Sequence, residues 1–466
     1  MNIGRIILTA ITTLLASFSN QTSHVEGVVG QPQNLHPLTI QKNTFDRDLG
    51  TLVFSGLTKI APDGTVNPDL AHTWEISEDE KEYTFYLDPE RKWHDGKPVT
   101  ADDVIFTVEN HTTFRELEVE KIDNRTVKFK LEEPFSPFLH LLNIGVAPKH
   151  IDYEQEGYKF IGSGPYKIIN VKKGIRKIDE LKLKKFNASS KGPAKIIFRF
   201  YETKDELLEA AKLGELDGFA HGQIDCKTYH SVETPLLGRY FALFFNLRDK
   251  DLLKEKETRR ILAEATPKEM IIDKLEQVAE IKQGSYPLPE EIELPQTSST
   301  ETTLTGNISL TYPKKEKYEQ IVELLKRSWE ELGIEVTLEA KDASILKETV
   351  VPERDFDVLL MGQEVSKDPD RYTLWHSTQA SYPGLNLTGL ENVRADRALE
   401  EARRTSDGEE RKEHYQNLKN VTEEEIPAIF LYRPTYIYHI RKRLGKPDLE
   451  GIYTPEDRWE RIFELY

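Results

Sequence analysis

The chain has 466 residues, of which 38% are hydrophobic, and its 63 Lys and Arg against 80 Asp and Glu give a formal net charge of −17 at pH 7. Such a length predicts about two or three domains with sizeable buried cores. An acidic surface repels phosphate backbones and anionic lipid headgroups, so the overall charge excludes nucleic acid as the expected partner.

The N-terminal segment, MNIGRIILTAITTLLASFSN, combines one positive charge at Arg5 with an apolar run from Ile6 to Phe18. This run is shorter than the roughly 20 residues that span a bilayer as a helix. We therefore predict that residues 1–23 form a secretory signal peptide or a short N-terminal anchor, with a buried N-terminal helix as the alternative. The protein is then extracytoplasmic, either periplasmic or at the cell surface.

The first half of the chain shows strand and helix patterns in alternation. Alternating apolar residues at Glu82–Leu87 and Arg125–Leu131 predict antiparallel strands. The segment TKDELLEAAKLGELDGF, which begins at Thr203, predicts a short helix that runs into a strand. Residues 283–306 are rich in Pro, Ser and Thr and predict an exposed loop.

A β-α-β unit is predicted further along the chain. Ile308–Tyr312 has the pattern of a strand, and a helix with apolar residues at three- and four-residue spacing follows it. Gly333 ends that helix, and Ile334–Leu338 alternates as a second strand. The apolar run in RDFDVLLMG suits an inner strand of the same sheet, so residues 308–362 are predicted to belong to one α/β domain.

The sequence contains few signs of catalytic or metal chemistry. It has no G-x-x-x-x-G-K-[ST], H-E-x-x-H or G-x-S-x-G motif, and its 12 histidines form no pair at metal-ligand spacing. The acidic stretch Ser366–Tyr372 lacks the glycine and glutamate of a calcium loop, so we expect no metal and no cofactor. Cys226 is the single cysteine, which excludes an internal disulfide, and we expect it to be a small buried apolar residue.

The stretch KWHDGKPVTADDV concentrates polar residues that could suggest an active site. Each of them has a structural role in our interpretation. Thr100 is predicted to cap a helix whose first turn contains Asp102 and Asp103, where acidic groups complement the helix dipole. Asp95–Gly96 is predicted to form a turn, and Trp93 to anchor the packing. We therefore interpret the cluster as scaffold.

The order of several short motifs resembles one known family. Pro68–Ala71 is followed by Trp74, by YTFYL and by WHDGKPVTADDV, and this order is similar to the signature of bacterial extracellular solute-binding proteins of family 5. Further motifs continue in the family's order, namely EGVVGQPQNLHPL, DRDLGTLVFSGL, GSGPYKI, LGELDGF, FNLRD, TRRILAEAT, LGIEV, DPDRYTLWHS, NLTGLEN and IPAIFLYRPTY. The resemblance covers nearly all of the chain after residue 25. The family comprises oligopeptide, dipeptide and nickel receptors of ABC importers.

The resemblance implies a fold and a domain arrangement. The implied fold is the α/β, two-lobed periplasmic-binding-protein fold of class II, with two hinge crossings and a subdomain inserted in lobe one. Lobe one corresponds to residues 24–243, lobe two to residues 244–432, and residues 433–466 return to complete lobe one. The crossings then fall at LFFNL and LYRPT. In such folds the ligand lies in the cleft and favours closure of the lobes.

The resemblance also implies where a ligand binds. In peptide-binding members an extended peptide pairs with the backbone of both lobes, which gives affinity without demanding a particular sequence. Motif order places these segments at Thr39–Asn43 and Gly362–Glu364. The implied ligand-binding residues are Ile40, Gln41, Lys42, Gly362, Gln363, Glu364, Asp368, Trp375, Asn386 and Tyr432.

Two departures from the family concern the amine site and the inserted subdomain. Family members place an aspartate a few residues after the lobe-two glycine to hold the peptide's α-amino group, whereas this sequence has Ser366 near that position. Asp368 is our first candidate for this role and Glu364 our second, because a buried ammonium requires a carboxylate partner. The stretch Val108–Glu120 is also shorter than the family's excursion at that point.

The function implied by the resemblance is capture of a peptide or similar small solute and its delivery to an ABC transporter permease. We expect a monomer. A ligand-binding sensor or chaperone that works without a transporter is one alternative. A secreted hydrolase is another, although no nucleophile, base and orienting group can be assembled from the motifs, so we expect no enzymatic activity.

Overall fold

The computed structural model describes residues 23–33, 36–38, 43–112, 114, 117–151, 160–175, 177–187, 190–275, 278–280 and 304–466. Its contacts divide the chain into two compact units. Unit 1 comprises the described residues of Met1–Glu133, Phe138–Thr234 and Tyr436–Tyr466, and unit 2 comprises those of Pro134–Pro137 and Pro235–Thr435. None of the helices in the described part of the chain is long and apolar enough to cross a membrane. The predicted signal peptide or anchor lies outside the described residues, apart from Ser23, as does most of the predicted 283–306 loop.

Unit 1 contains twelve strands before the chain passes to unit 2. These are β1 (Ser23–Val29), β2 (Thr58–Ile60), β3 (Val66–Pro68), β4 (Ala71–Ile76), β5 (Glu82–Leu87), β6 (Glu118–Lys121), β7 (Thr126–Lys130), β8 (Tyr166–Lys173), β9 (Ile178–Lys185), β10 (Lys195–Tyr201), β11 (Gly218–Ala220) and β12 (Tyr229–Pro235). Its helices in this part are α1 (Thr44–Val53), α2 (Ala101–Asn110), α3 (Phe138–Leu141) and α4 (Lys204–Lys212).

Unit 2 contains five strands of its own and most of the helices. The strands are β13 (Arg239–Phe245), β14 (Val278–Glu280), β15 (Gly306–Pro313), β16 (Ile334–Lys341) and β17 (Val358–Glu364). The helices are α5 (Asp251–Lys254), α6 (Lys256–Glu264), α7 (Lys268–Lys274), α8 (Glu316–Glu330), α9 (Ala343–Ile345), α10 (Val351–Glu353), α11 (Tyr372–Trp375), α12 (Val393–Arg404) and α13 (Gly408–Glu425), with a π-helical turn, Leu346–Val350, between α9 and α10.

The chain then returns to unit 1 along a single long strand. This strand, β18 (Ala428–Arg441), belongs to unit 2 up to Thr435 and to unit 1 from Tyr436 onward. Helix α14 (Arg458–Phe463) follows near the C-terminus. Strand β13 pairs along its length with β17, and with β18 from Phe241 to Phe244, and all of it belongs to unit 2. The crossings at LFFNL and LYRPT stay predictions.

The main sheet of unit 1 has the order β18-β11-β1-β10-β9-β8, with β12 paired to β18. Strand β1 runs parallel to β10 and β11, and the pairs at both ends of the order are antiparallel. A separate antiparallel sheet, β4-β5-β7-β6, contains the two strands predicted from alternation, β5 and β7. Strands β2 and β3 form a small pair of their own.

The sheet of unit 2 has the order β16-β15-β17-β13-β18, with β14 paired to β18. The predicted β-α-β unit is confirmed, because β15 and β16 are parallel neighbours joined by α8. Helix α8 buries its apolar stripe, including Ile321, Leu325 and Trp329, against this sheet. The helix ends before Gly333, whose φ of +99° lies in the left-handed region that glycine adopts readily.

A buried charge cluster connects both ends of the chain within unit 1. Arg458 of α14 donates to Asp48 of α1 (Nη1–Oδ1, 2.6 Å) and to Glu26 of β1 (Nη2–Oε1, 2.9 Å). Tyr438 donates to the other oxygen of Glu26 at 2.7 Å, and Trp459 Nε1 donates to Asp48 at 3.0 Å. Burial alone lowers the pKa of Arg458, but the two carboxylates raise it well above its ordinary value. The arginine therefore stays charged in the core.

One expectation about the core is wrong. Cys226 is half-buried rather than buried, and its Sγ lies 3.3 Å from the hydroxyl of Thr228. It follows the short strand β11 in a connection between two strands, where backbone and polar groups still reach water.

Candidate functional site

Three of the predicted ligand-binding residues, Gly362–Glu364, form the C-terminal end of β17. One edge of β17 pairs antiparallel with β13 along the whole strand. The other edge pairs with β15 only at Val358 and Leu359. In the described part of the chain, Gly362–Glu364 thus has no partner strand on that second edge. Unpaired backbone groups on an edge are available to an added extended chain.

Gly362 lies against an aromatic group of unit 2. A Cβ at Gly362 would meet the ring of Phe241 at 2.8 Å, so the absence of a side chain makes room for this ring. Phe241 stacks on Tyr432 with 4.9 Å between centroids, and Lys317 Nζ lies 5.7 Å from the Phe241 centroid. Tyr432 is buried, and its burial raises the pKa of its hydroxyl, which therefore stays protonated at neutral pH. This residue packs in the core of unit 2.

The next two residues of β17 point to opposite sides of the sheet, as the strand pleat requires. Gln363 is buried, and its Oε1 accepts a hydrogen bond from the hydroxyl of Tyr240. Glu364 forms an ion pair with Arg239, the residue opposite it on β13, and its side chain remains 50% exposed. Glu364 is therefore the carboxylate of β17 that a ligand from solution can reach.

Asp368, the first candidate for the amine site, is already engaged by a cation of its own unit. Its side chain is 3% exposed, and its two oxygens accept from Arg411 Nη1 at 3.1 Å and Nη2 at 2.9 Å. Oδ1 also accepts from the backbone N–H of Asp370 at 2.8 Å. Burial opposes the charge of Arg411, but Asp368 raises the pKa of Arg411 above its ordinary value. The pair is a buried, bidentate salt bridge that orders the segment after β17.

The same segment is held by a second arginine. Arg403 donates to both oxygens of Asp370, from Nε at 3.0 Å to each and from Nη2 at 2.6 Å to Oδ2. Its guanidinium carbon lies 3.8 Å from the ring centroid of Tyr372, which in turn stacks on His376 at 4.0 Å. The acidic residues of this stretch are thus paired with arginines in the structure.

Trp375 and Asn386 lie in the interior of unit 2. Trp375 is buried in the core cluster that contains Phe430 and Leu399. The amide nitrogen of Asn386 donates to the carbonyls of His376 at 3.2 Å and of Leu390 at 3.1 Å. Its amide oxygen accepts from the hydroxyl of Thr388 and the N–H of Gly389, both at 3.0 Å. The Asn386 side chain thus has a structural role in the loop that contains it, and a ligand contact at either position stays a prediction.

The segment of unit 1 that carries Ile40, Gln41 and Lys42 lies outside the described residues. The structure resumes at Asn43, which caps α1 by accepting a 2.8 Å hydrogen bond from the N–H of Asp46. Their role in ligand binding therefore stays a prediction.

Comparisons with known proteins identify the family. The family model for the middle part of the bacterial extracellular solute-binding proteins, family 5, matches residues 65–383 of the chain. The chain belongs to this family. The fold implied by the sequence motifs, the two-lobed α/β periplasmic-binding-protein fold, is confirmed by the solved structures that it resembles.

Among its relatives is the oligopeptide-binding protein AppA of Bacillus subtilis, which is 26% identical over 88% of this chain and 86% of AppA. The structure of AppA in complex with a nonapeptide matches with a TM-score of 0.69 and 23% identity, covering 94% of this chain and 98% of that one. The structure of NikZ from Campylobacter jejuni in complex with Ni(L-His) matches with a TM-score of 0.72 and 22% identity, covering 95% and 99% of the two chains.

The tryptophan–histidine–aspartate cluster of this family 5 protein forms scaffold in the structure. Trp93 is buried, and its Nε1 donates to Asp103 Oδ2 at 3.3 Å. The same oxygen accepts from the N–H and the hydroxyl of Thr100, both at 2.9 Å, while Oδ1 accepts from the N–H of Lys149 at 2.9 Å. Gly96 completes the predicted turn with a φ of +93°. Asp103 thus fixes the start of α2 and the indole together.

His94 connects this cluster to the GSGPY motif. Its Nε2 lies 3.0 Å from the carbonyl oxygen of Gly164, and its Nδ1 accepts from the N–H of Gly162 at 3.2 Å. The backbone of His94 also donates to the carbonyl of Gly162 at 2.9 Å. Burial lowers the pKa of His94 to about 4, so the ring is neutral at neutral pH and bonds on both sides.

Family 5 proteins are solute-binding proteins. The described residues contain no group of three or more His, Cys, Asp or Glu side chains placed to hold a metal ion. The buried charged side chains described above are hydrogen-bonded to neighbouring side chains or to backbone. What the geometry of unit 2 offers instead is an open strand edge beside an exposed carboxylate.

Proposed function

We propose that this family 5 protein is an extracytoplasmic receptor that binds a peptide and passes it to the permease of an ABC importer. The relatives support a peptide ligand, since they include the oligopeptide-binding protein AppA and a dipeptide-binding protein of Escherichia coli. Similarity in fold does not identify the solute, because NikZ, which matches this chain as well as AppA does, was solved with Ni(L-His). A peptide ligand is therefore our proposal for this chain.

The observation that carries the proposal is the open edge of β17 at Gly362–Glu364. A peptide in extended conformation can add to this edge as a strand, with its N–H and C=O groups paired to the backbone. Backbone pairing gives affinity that depends little on side-chain sequence, which suits a receptor for many peptides. A metal–amino acid complex has too few backbone groups to use such an edge.

Glu364 is the carboxylate that we propose for the peptide's α-amino group. It lies on the open-edge segment and is half exposed, whereas Asp368 would have to give up the bidentate contact with Arg411 to take a ligand ammonium. For this reason we propose Glu364 before Asp368, in the opposite order to the one taken from the sequence. Removing Asp368 from Arg411 would leave a buried guanidinium without its carboxylate, which is strongly unfavourable.

Two measurements test the proposal. Native mass spectrometry of the protein purified from its own host should show bound peptides of mixed sequence. Calorimetry should then compare one of these peptides with copies that are N-methylated at alternate residues. Methylation on the register that faces β17 should abolish measurable binding, and methylation on the other register should weaken binding less.

The control is a peptide of the same composition with the methyl groups moved by one residue. Equal affinity for both methylated peptides would contradict strand addition. Copurification of a metal–amino acid complex without peptide would contradict the peptide ligand itself.

The partnership with a permease is tested by uptake. Cells that lack this protein should lose uptake of the copurifying peptide and regain it when the protein is restored. Uptake that continues without the protein, together with tight binding in vitro, would favour a sensor.

A further inference from the structure

One region of unit 1 has a positive net charge, opposite in sign to that of the whole chain. Residues 167–199, which span β8, β9 and β10, contain 11 Lys and Arg against 2 Asp and Glu, in a chain of net charge −17. These strands form one end of the main sheet of unit 1, and β8 is its last strand. The inner face of this end packs in the core through residues such as Leu183, Ile196 and Phe198. Six of the basic residues therefore lie on the outer face.

Three lysines of this face lie in direct cross-strand register. Lys184 of β9 is opposite Lys167 of β8 on one side and Lys195 of β10 on the other. Lys184 and Lys195 are exposed, and within the described chain none of the three lysines has a carboxylate at salt-bridge distance. Like charges placed directly opposite each other destabilise a sheet. The three lysines therefore lower the stability of this sheet. Their presence is explained if an anionic partner binds them.

Further cations surround this row. On the same face lie Lys172, Lys182 and Arg199, and the single acidic residue among them is Glu180. Glu180 is shared by Lys182 at 2.9 Å and Arg199 at 3.6 Å. Arg199 also pairs with Glu215 at 3.1 Å. Two carboxylates cannot neutralise six cations, so the face keeps a local positive charge.

An exposed isoleucine stands at the tip of the β8–β9 hairpin. Ile175 is 92% exposed and lies in the sequence VKKGIRK, between Lys173 and Lys177. Ile169, the extra residue of a bulge in β8, is 45% exposed. An apolar tip flanked by cations matches the boundary between lipid headgroups and acyl chains, where each part finds its complement.

We propose that the lysine row Lys167–Lys184–Lys195 and the Ile175 tip form a docking surface for anionic phospholipid membranes. We call it the basic hairpin face. The lysines contact headgroup phosphates, and Ile175 enters the acyl boundary. A soluble anionic polymer would explain the lysines but would leave Ile175 in water, so the isoleucine favours the membrane. The surface lies within unit 1 and does not depend on the proposed ligand.

The test is partition of the full chain onto phosphatidylcholine vesicles with and without phosphatidylglycerol, at low and at high salt. The parent protein should bind the anionic vesicles at low salt and dissociate at high salt. Replacing Lys167, Lys184 and Lys195 by Gln together should lower the partition coefficient about hundred-fold, since each basic residue near the surface contributes roughly five-fold. Ile175→Ser should lower it by about ten-fold.

Matched controls come from unit 2. Changing the exposed Lys314, Lys315 and Lys347 to Gln alters the net charge equally, and Ile345→Ser removes another exposed isoleucine. Neither change should affect partition, and the control variants should keep the parent's melting midpoint. The triple Lys→Gln variant of the basic hairpin face should melt slightly above the parent, because it removes like charges that lie opposite each other. Equal binding to both kinds of vesicle, or control variants that lose as much binding as the hairpin variants, would overturn the proposal. Salt-sensitive binding to soluble polyphosphate that is unaffected by Ile175→Ser would also overturn it, because the partner would then be an anionic polymer.

Discussion

Arg458 Nη1 lies 2.6 Å from Asp48 Oδ1, although 410 residues separate the two in sequence. Both side chains are buried, and Glu26 accepts a second hydrogen bond from the same guanidinium. This contact fastens the C-terminal return of the chain to the first strand and first helix of unit 1. A charged group in this position is stable only while all its partners are present.

Replacing Arg458 by Met should therefore destabilise unit 1 strongly. The change leaves Asp48 buried without a cation and leaves Glu26 with only His24, at 2.9 Å, beside it. Breaking a buried ion pair in this way costs about 3–5 kcal/mol. The measurement is urea unfolding followed by the fluorescence of the tryptophans. The triple variant Glu26→Gln, Asp48→Asn, Arg458→Met removes all three charges and should recover most of the loss. If the triple variant is no more stable than Arg458→Met, buried charge is not the cause.

A chain truncated after Leu431 should fail to fold unit 1. The deletion removes Arg458, Trp459 and the half of β18 that pairs with β11, so apolar and charged core groups are exposed together. We expect the loss of a cooperative thermal transition for unit 1 in calorimetry. Adding the missing residues back as a separate peptide is the control, and it should restore part of the transition. An unchanged midpoint in the truncated chain would contradict the role of the C-terminal return.

Trp93→Ala should lower stability without changing ligand affinity per folded molecule. Loss of a large buried aromatic costs about 3–5 kcal/mol. Asp95→Ala should cost about 1 kcal/mol, because Asp95 accepts from the N–H of Lys97 at 3.1 Å and contacts His150 at 2.8 Å in a partly exposed turn. Calorimetry with a bound peptide and urea unfolding separate the two effects. Normal stability with abolished binding would show that the cluster belongs to the ligand site.

Asp368→Asn and Glu364→Gln should have opposite effects. Asp368→Asn leaves Arg411 without its carboxylate and should destabilise unit 2 by about 3–5 kcal/mol, with little change in peptide affinity per folded molecule. Glu364→Gln should leave stability nearly unchanged, because its pair with Arg239 is half exposed, and should weaken peptide binding by about 1.5–3 kcal/mol. An N-acetylated peptide should bind the parent poorly and lose little more on Glu364→Gln. Full affinity of Glu364→Gln for the free peptide would rule out this amine site.

His94 should make the protein less stable in mild acid. Its pKa is lowered to about 4 in the folded state, whereas an unfolded histidine has a pKa of about 6.5, so the unfolded chain binds one more proton between these values. Stability is therefore complete above pH 6.5 and is lost as the pH falls towards 4, by about 2–3 kcal/mol. His94→Gln should remove this part of the pH dependence of the unfolding free energy. The matched control variant is His72→Gln, which replaces an exposed histidine of β4.

Local pattern in the sequence predicted the elements that depend on local physics. Strands β5, β7, β15 and β16 and helix α8 follow from alternation and helical spacing, and the structure has them where they were expected. The scaffold role of Trp93 was also visible, because turn and cap residues act within a few positions of themselves.

Contacts between distant residues could not be predicted in this way. Arg411 contacts Asp368 from α13, 43 residues away in the sequence, and no pattern near Asp368 predicts this contact. The sequence alone therefore favours Asp368 over Glu364 for the amine site. Asn386 matched a family motif, but its hydrogen bonds to His376 and Leu390 depend on the path of the loop. These features are set by tertiary structure, which periodicity does not encode.

The position of Arg458 near the end of the chain also bears on when unit 1 can fold. During synthesis Glu26 and Asp48 leave the ribosome more than 400 residues before Arg458 does. A domain whose residues have all emerged tends to fold while synthesis continues. Unit 1 lacks that option, because the buried Asp48 has no arginine partner until Arg458, 410 residues later in the sequence, has been made. A protein of a family that works outside the cytoplasm gains from this order, since a nascent chain that is still unfolded remains able to pass through an export channel.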